Sequence, residues 1–161
     1  MNMVIGFTGT REGMTQAQTR RVADILSAAK VSEVHHGDCV GADAVFHILA
    51  LERRLFIVVH PPVKATYRAH CQPAVGRGLV MSEADYLTRN RAIVEACDLL
   101  IAAPKETSQP LSVRGRGAWY TIRHARRSKT PTMIVWPRGS VEIWPIGFMH
   151  QLFSANETKG A

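Results

Sequence analysis

The 161-residue chain is 46% hydrophobic and 20% charged, a balance that excludes global disorder and suits one α/β domain with a full core. No apolar run approaches the ~20 residues needed to cross a bilayer, and the amino-terminal run lacks a signal peptide's basic flank and cleavage site. The net charge is +7, and three cysteines at no metal-like spacing (Cys39, Cys71 and Cys97) predict a cytoplasmic protein without disulfides, metal or cofactor.

The first apolar run, Val4–Thr8, reads as a strand and ends in Gly9-Thr10-Arg11-Glu12-Gly13. Gly9 can turn sharply there, and Arg11 can reach an anion. Thr15 with Gln18 forms a capping box, followed by Val22, Ile25, Leu26 and Ala29 at helical spacing. The run Val34–His36 leads into Gly37-Asp38-Cys39-Val40-Gly41-Ala42-Asp43, where two glycines and two carboxylates meet at a strand-to-helix junction. Asp38 suits ribose hydroxyls or a base N–H; Asp43 suits either that role or a helix cap. The next helix is expected to start near Gly41–Asp43 and turn Val45, Ile48 and Leu49 inward. Leu55–Val59 is a continuous apolar strand leading to His60 and Pro61-Pro62, and residues 61–81 read as an irregular excursion over the same edge.

Helical spacing resumes from Arg89 to Cys97 through Ile93 and Val94, with Arg89-Asn90-Arg91 at its start. Leu99–Ala103 is the next strand. Its loop runs from Pro104 through Arg114-Gly115-Arg116-Gly117 to a helix over Gly117–Arg127 that would bury Ala118, Ile122 and Ala125. Gly115-x-Gly117 at a helix start is a candidate phosphate cradle. Trp119 and Tyr120 suit a base stack, the core or a dimer interface. Thr132–Trp136 and a short Val141–Trp144 complete the strands, and the last half-dozen residues read as a frayed tail. Arg114, Arg116, Arg123, Arg126, Arg127, Lys129 and Arg138 lie between Glu106 and Glu142 with no acidic residue among them.

Strands alternating with helices predict a Rossmann-like three-layer sandwich with an open, mostly parallel sheet of about five or more strands, in one domain over residues 1–161 (core about 3–136, extension 137–161). Parallel strands open all four loops on one sheet edge, where carboxyl ends make a ligand crevice. The candidate binding residues are Gly9, Thr10, Arg11, Gly37, Asp38, Gly41, Asp43, Pro61, Arg89, Asn90, Arg91, Pro104, Arg114, Gly115, Arg116 and Gly117. Glycines and helix amino ends in that arrangement point to a phosphorylated small molecule, foremost a nucleotide. His35, His36, His60 and His70 have no zinc spacing and read as structural.

Taken in order, these motifs resemble the SLOG superfamily, which includes the LOG phosphoribohydrolases and the DNA-processing protein DprA. They are most similar to its YspA-like branch: the loop Gly9–Arg11, then His36-Gly37-Asp38-x-x-Gly41-Ala42-Asp43, then His60-Pro61-Pro62. Arg89-Asn90-Arg91-x-Ile93, Asp98-Leu99-Leu100-Ile101-Ala102 and the Gly115–Gly117 loop continue the likeness, which covers roughly residues 3–136. It implies a Rossmann-like fold and a nucleotide or nucleotide-derived ligand. LOG enzymes carry a Pro-Gly-Gly-x-Gly-Thr-x-x-Glu loop, whose glutamate position falls here on Thr121. A threonine cannot replace a carboxylate as a base or against an oxocarbenium-like centre.

The resulting expectation is a nucleotide binder, a sensor or sponge in bacterial or phage conflict, without LOG-type hydrolysis. The alternative is a nucleotide N-glycosidic or phosphoester hydrolase using Asp38, Asp43 and Arg89. The second alternative is a DprA-like single-stranded nucleic-acid binder. A homodimer or higher homo-oligomer is expected, with Trp119, Tyr120 and Ile122 near the pairing helix, and no membrane partner.

Overall fold

The computed structural model describes residues 2–148, so the frayed tail expected at the carboxyl terminus lies outside the described residues. Seven strands form one sheet: β1 (Met3–Gly9), β2 (Val31–His36), β3 (Phe56–Val59), β4 (Gly78–Val80), β5 (Leu99–Ala103), β6 (Thr132–Val135) and β7 (Val141–Trp144). Their order is β4-β3-β2-β1-β5-β6-β7, parallel except for β7, which runs antiparallel to β6. Helices α1 (Gln16–Ala28) and α2 (Ala42–Glu52) cover one face, and α3 (Tyr86–Ala96) and α4 (Gly117–Arg127) the other. The chain has the open, mostly parallel three-layer sandwich that the alternating pattern predicts. β4 is the strand the sequence pattern misses: three residues in a proline- and glycine-rich stretch, held by pairing to β3.

Burial explains the layering. β5, with five buried residues in a row, is covered on both faces, as a central parallel strand must be. Under α1 and α2 the core is built on Ile5, Phe7, Val22, Leu26 and Phe46, with the Phe7 and Phe46 rings stacked at 4.2 Å. Under α3 and α4 it is Ile93, Val94 and Leu100, continued by Ala102, Trp119, Ile122 and Ile134. Trp119 and Ile122 are therefore core residues of this chain and not free for a subunit interface. The inward face of α2 also differs from expectation. Phe46, Leu49 and Ala50 point in while Ile48 is 55% exposed, because the Phe7–Phe46 stack sets the rotation of the helix.

The Thr15 capping box is present, and Gln18 has a second task. Fully buried, its amide donates to the carbonyls of Pro104 (2.8 Å) and Val135 (2.9 Å), tying α1 to the carboxyl ends of β5 and β6. A lone glutamine on an apolar helix face thus fixes where the β5 loop leaves the sheet.

Candidate functional site

The strand order reverses between β1 and β5, so the loops that follow them part at the carboxyl edge of the sheet, the usual place for a ligand crevice in such folds. A cleft of about 990 Å³ opens there. Its walls are the β1 loop through Glu12, the amino-terminal half of α3, Pro104–Glu106 and Val113–Tyr120. A smaller recess of about 280 Å³, at Leu51, Arg54 and Arg77, lies at the opposite strand ends and brings no catalytic side chains together.

Of the residues singled out from sequence, Gly9, Thr10, Arg11, Gly37, Asp43, Arg89, Asn90, Pro104 and Arg114 through Gly117 all line this cleft. Asp38, Gly41, Pro61 and Arg91 do not. Asp38 is fully buried, bonded to Arg68 Nε (3.0 Å) and to the Cys71 N–H (2.8 Å), so it ties the 61–81 excursion to the β2 end. Gly41 has φ +89, and a Cβ there would lie 2.3 Å from the Arg11 carbonyl, so it lets the β1 loop pack on α2. Pro61 is buried, and Arg91 is exposed on the outer side of α3. Thr121, at the LOG glutamate position, is also buried and donates to the Gly117 carbonyl at 3.2 Å.

The cleft floor holds charge in an unusual state. Arg89 is 5% exposed and donates to the carbonyls of Gly37 and His60 (3.2 Å to the latter), bracing the ends of β2 and β3. Among the described residues it makes no carboxylate ion pair, and its Nε has no partner. Asn90 beside it is 6% exposed, with Nδ2 also without a hydrogen bond. Asp43 is near but does not neutralise Arg89 by contact. Burial pushes its carboxyl up to about 6, against the N–H of Cys39 (3.1 Å) and the field of Arg89, which favour the anion. Cys39 bridges the two groups with Sγ 3.6 Å from Arg89 Nη1, and burial pushes its thiol up, making it a poor nucleophile.

Around the mouth, Arg11 lies 4.0 Å over the Tyr67 ring. Lys105 pairs with Glu12 at 2.5 Å, and Arg116 with Glu106 at 2.8 Å. Six cationic side chains line the cleft (Arg11, Lys64, Arg89, Lys105, Arg114, Arg116) against four carboxylates (Glu12, Asp43, Asp85, Glu106), a net of +2. The α4 amino end opens onto the same space. Its N-cap Arg116 makes no capping bond and its first turn has no acidic residue, whereas Asp85 caps α3 through the N–H groups of Leu87 and Thr88. Gly117 sits against the Tyr86 hydroxyl, which donates to its carbonyl at 2.6 Å.

Tyr67, Lys64, Asp85 and Tyr86 also line the cleft without having been legible in sequence. Asp85 with Thr88 is a capping signal that moves the start of α3 from Arg89 to Tyr86, and would have brought Tyr86 into the reading. The histidines form closed chains. Asp38 N–H donates to His36 Nδ1 (3.1 Å), His36 and His47 share a bond of 2.9 Å, and His47 Nε2 meets the Gln72 carbonyl (3.0 Å). Together with Cys71 these two rings cluster as metal ligands can. Every ring nitrogen already has a partner, so a cation there must break at least one hydrogen bond between buried groups. On the other face, Glu33, His35 and His60 form a second chain, with burial pushing His60 down to about 4.

The sequence matches no protein-family model and no curated protein. Solved structures do match. DNA processing protein A from Helicobacter pylori, described with a single-stranded DNA binding mode, superposes with a TM-score of 0.52 at 16% identity over 82% of this chain. DprA from Streptococcus pneumoniae superposes with a TM-score of 0.55 at 14% identity over 83% of this chain. The fold is the DprA-like Rossmann fold. The chain spans 64% and 50% of the lengths of those two relatives, so the likeness reaches the Rossmann-like unit and not the rest of either protein. Among the described residues no helix is long and apolar enough to cross a membrane.

Proposed function

We propose that the cleft binds the phosphate of a nucleotide or nucleotide-derived ligand and holds it without LOG-type hydrolysis, as a sensor or sponge of the YspA-like kind. One observation carries this reading: a buried arginine with no carboxylate contact, in the same cleft as an uncapped helix amino end. A buried charge left unpaired is costly, so the free protein retains Arg89 in a state that an anion improves. Unpartnered α4 N–H groups and Arg114 add donors of the kind phosphate takes. Asn90 Nδ2 supplies a neutral donor for a carbonyl or ring nitrogen. Thr121 provides no carboxylate, and Asp43, the one buried carboxylate of the cleft, is a weaker base-side candidate held beside Arg89.

Calorimetric titration with nucleoside mono- and diphosphates, together with mass spectrometry of ligand released from purified protein, tests the reading. Binding that needs the phosphate group is the expected result. Indifference to phosphorylation would sink it. Free base released from nucleoside monophosphates, and lost in Asp43→Asn, would instead promote the hydrolase.

A second reading, a single-stranded DNA binder, is favoured by the fold likeness and by Arg114, which has no ion pair among the described residues. The rest of the basic stretch supports it less: Arg126 pairs with Glu142 (3.2 Å) and Arg123 holds the Pro110 carbonyl (3.2 Å). Oligonucleotide affinity that falls steeply with salt, exceeding mononucleotide affinity by orders of magnitude, would favour this reading over the first.

A further inference from the structure

The loops that follow β1 and β5 give the cleft most of its cations: Arg11, Lys105, Arg114 and Arg116. The excursion after β3 and the first residues of α3 contribute something different. Beside Lys64, they leave Val63, Tyr86 and Leu87 at 56%, 41% and 43% exposed, all three lining the cleft. Largely apolar side chains open to water inside a charged rim mark where the apolar part of a ligand rests.

Tyr86 has the geometry of a stacking platform. Of the five aromatic rings that line the cleft, Phe7 and Trp119 are fully buried, and Tyr67 carries the Arg11 guanidinium over its ring. Tyr120 packs against Tyr86, with ring centroids 5.8 Å apart and planes at 53°. Tyr86 is the ring left open. Its place is set before any ligand arrives: the hydroxyl donates to the Gly117 carbonyl at 2.6 Å, and a Cβ at Gly117 would lie 2.8 Å from that oxygen. A ring tied at its tip and backed by a second ring loses little freedom on binding. The same contact sets it against the first residue of α4, the uncapped amino end that the proposed reading gives to phosphate. Asn90 follows one turn along α3, on the same side of the helix. It too lines the cleft, buried, with Nδ2 unbonded among the described residues. A nucleoside phosphate has a use for all three: the planar face, the amide donor beside it and the helix end. A sugar phosphate has a use only for the last.

We infer that Tyr86 is the platform for the ligand's base, so that this cleft selects nucleotides over phosphates that carry no aromatic ring. The inference rests on the phosphate reading above and adds the class of group attached to that phosphate. Stacking is a contact that every purine or pyrimidine face can make, so the selection is for an aromatic base as such. Purines rank ahead of pyrimidines because they present the larger face.

Calorimetry on the full chain tests this by comparing ribose 5-phosphate with the adenosine, guanosine, cytidine and uridine monophosphates, which add only a base. Wild type is expected to bind the best of the four more tightly than ribose 5-phosphate by about 5- to 150-fold, the range that stacking on one aromatic residue supplies. Tyr86→Leu should bring that ratio close to one. Taking the ratio cancels any effect of the substitution on the fold or on the phosphate site. Tyr86→Phe keeps the ring and loses only the hydroxyl bond, so it should keep most of the preference. Equal affinity of wild type for all five ligands, a Tyr86→Leu protein that keeps the preference, or a Tyr86→Phe protein that loses it would each overturn the inference and leave phosphate binding standing. A wild type that binds none of the five would overturn the phosphate reading, and the inference with it.

Discussion

Two buried polar regions flank the end of β2, and they differ in one respect. On the α2 side, Asp38, Arg68, the Cys71 N–H, His36, His47 and the Gln72 carbonyl close on one another. On the cleft side, Arg89 Nε and Asn90 Nδ2 have no partner among the described residues, and Asp43 is a carboxyl pushed up to about 6. A closed network makes a loop rigid. An open one, at similar burial, keeps donors in reserve for something that is not part of the chain. On the proposed reading the first region is structural and the second binds, and that contrast can be broken from either side.

The largest effect belongs to the closed region. Asp38→Ala leaves the Cys71 N–H without its acceptor and Arg68 with only the exposed Glu83 carboxylate, and an unsatisfied buried donor of this kind costs about 1–3 kcal/mol. Urea denaturation should show a loss of that order. Wild-type stability in Asp38→Ala would show that this network does not hold the loop.

Next comes Arg89. Arg89→Lys keeps a charge and a donor for the Gly37 and His60 carbonyls but loses the planar guanidinium with its unbonded Nε, so phosphate-dependent affinity should fall by about tenfold or more. Arg91→Lys, on the exposed side of the same helix, should bind as wild type. Equal affinities for the two variants would remove Arg89 from the site.

Asp43 makes the third test, and its sign follows from burial. Its carboxyl is raised from 3.8 to about 6 in the folded state, so the unfolded chain ionises first as pH rises. The stability this group contributes is fully present below pH 3.8 and is lost as pH rises through about 6. Asp43→Asn cannot ionise and still accepts from Cys39 N–H, so it should gain about 1–3 kcal/mol over wild type above pH 6 and nothing near pH 4. Thermal melts of both proteins across that window check it; a pH-independent difference would mean that Asp43 is ionised in the fold.

Much of this architecture was legible because local and tertiary signals agree. β5 and α4 begin and end where the apolar run Leu99–Ala103 and the period Ala118, Ile122, Ala125 place them. β4 was not legible, since Gly78–Val80 owe their extended form to β3 and not to their own composition. The cleft emerged as a set of loops, but Asp38 and Asp43 could not be told apart. What separates them is Arg68 and Cys71, some thirty residues on, brought in by an excursion without periodicity. Ile48 misled for the same reason: aromatic stacking across two elements, invisible in the helix itself, decides which side of α2 turns inward.

The smallest expected effect sharpens the comparison at the mouth of the cleft. Arg11 belongs neither to the closed network nor to the buried floor, and among the described residues it is the Tyr67 ring beneath its guanidinium that holds it in place. Burial contributes little there, because Arg11 is exposed and Tyr67 is 38% exposed. An exposed cation–π contact is worth about 0.5–1 kcal/mol, so Tyr67→Leu should leave stability almost unchanged. Its effect should fall on binding, since a free arginine must be ordered again when an anion arrives. A loss of affinity of about two- to fivefold is expected, larger for diphosphates than for monophosphates if Arg11 reaches the outer phosphate. Calorimetry on both ligands reads this directly. Affinity unchanged for both would return Arg11 to the solvated surface and confine the site to Arg89, Asn90 and the α4 amino end.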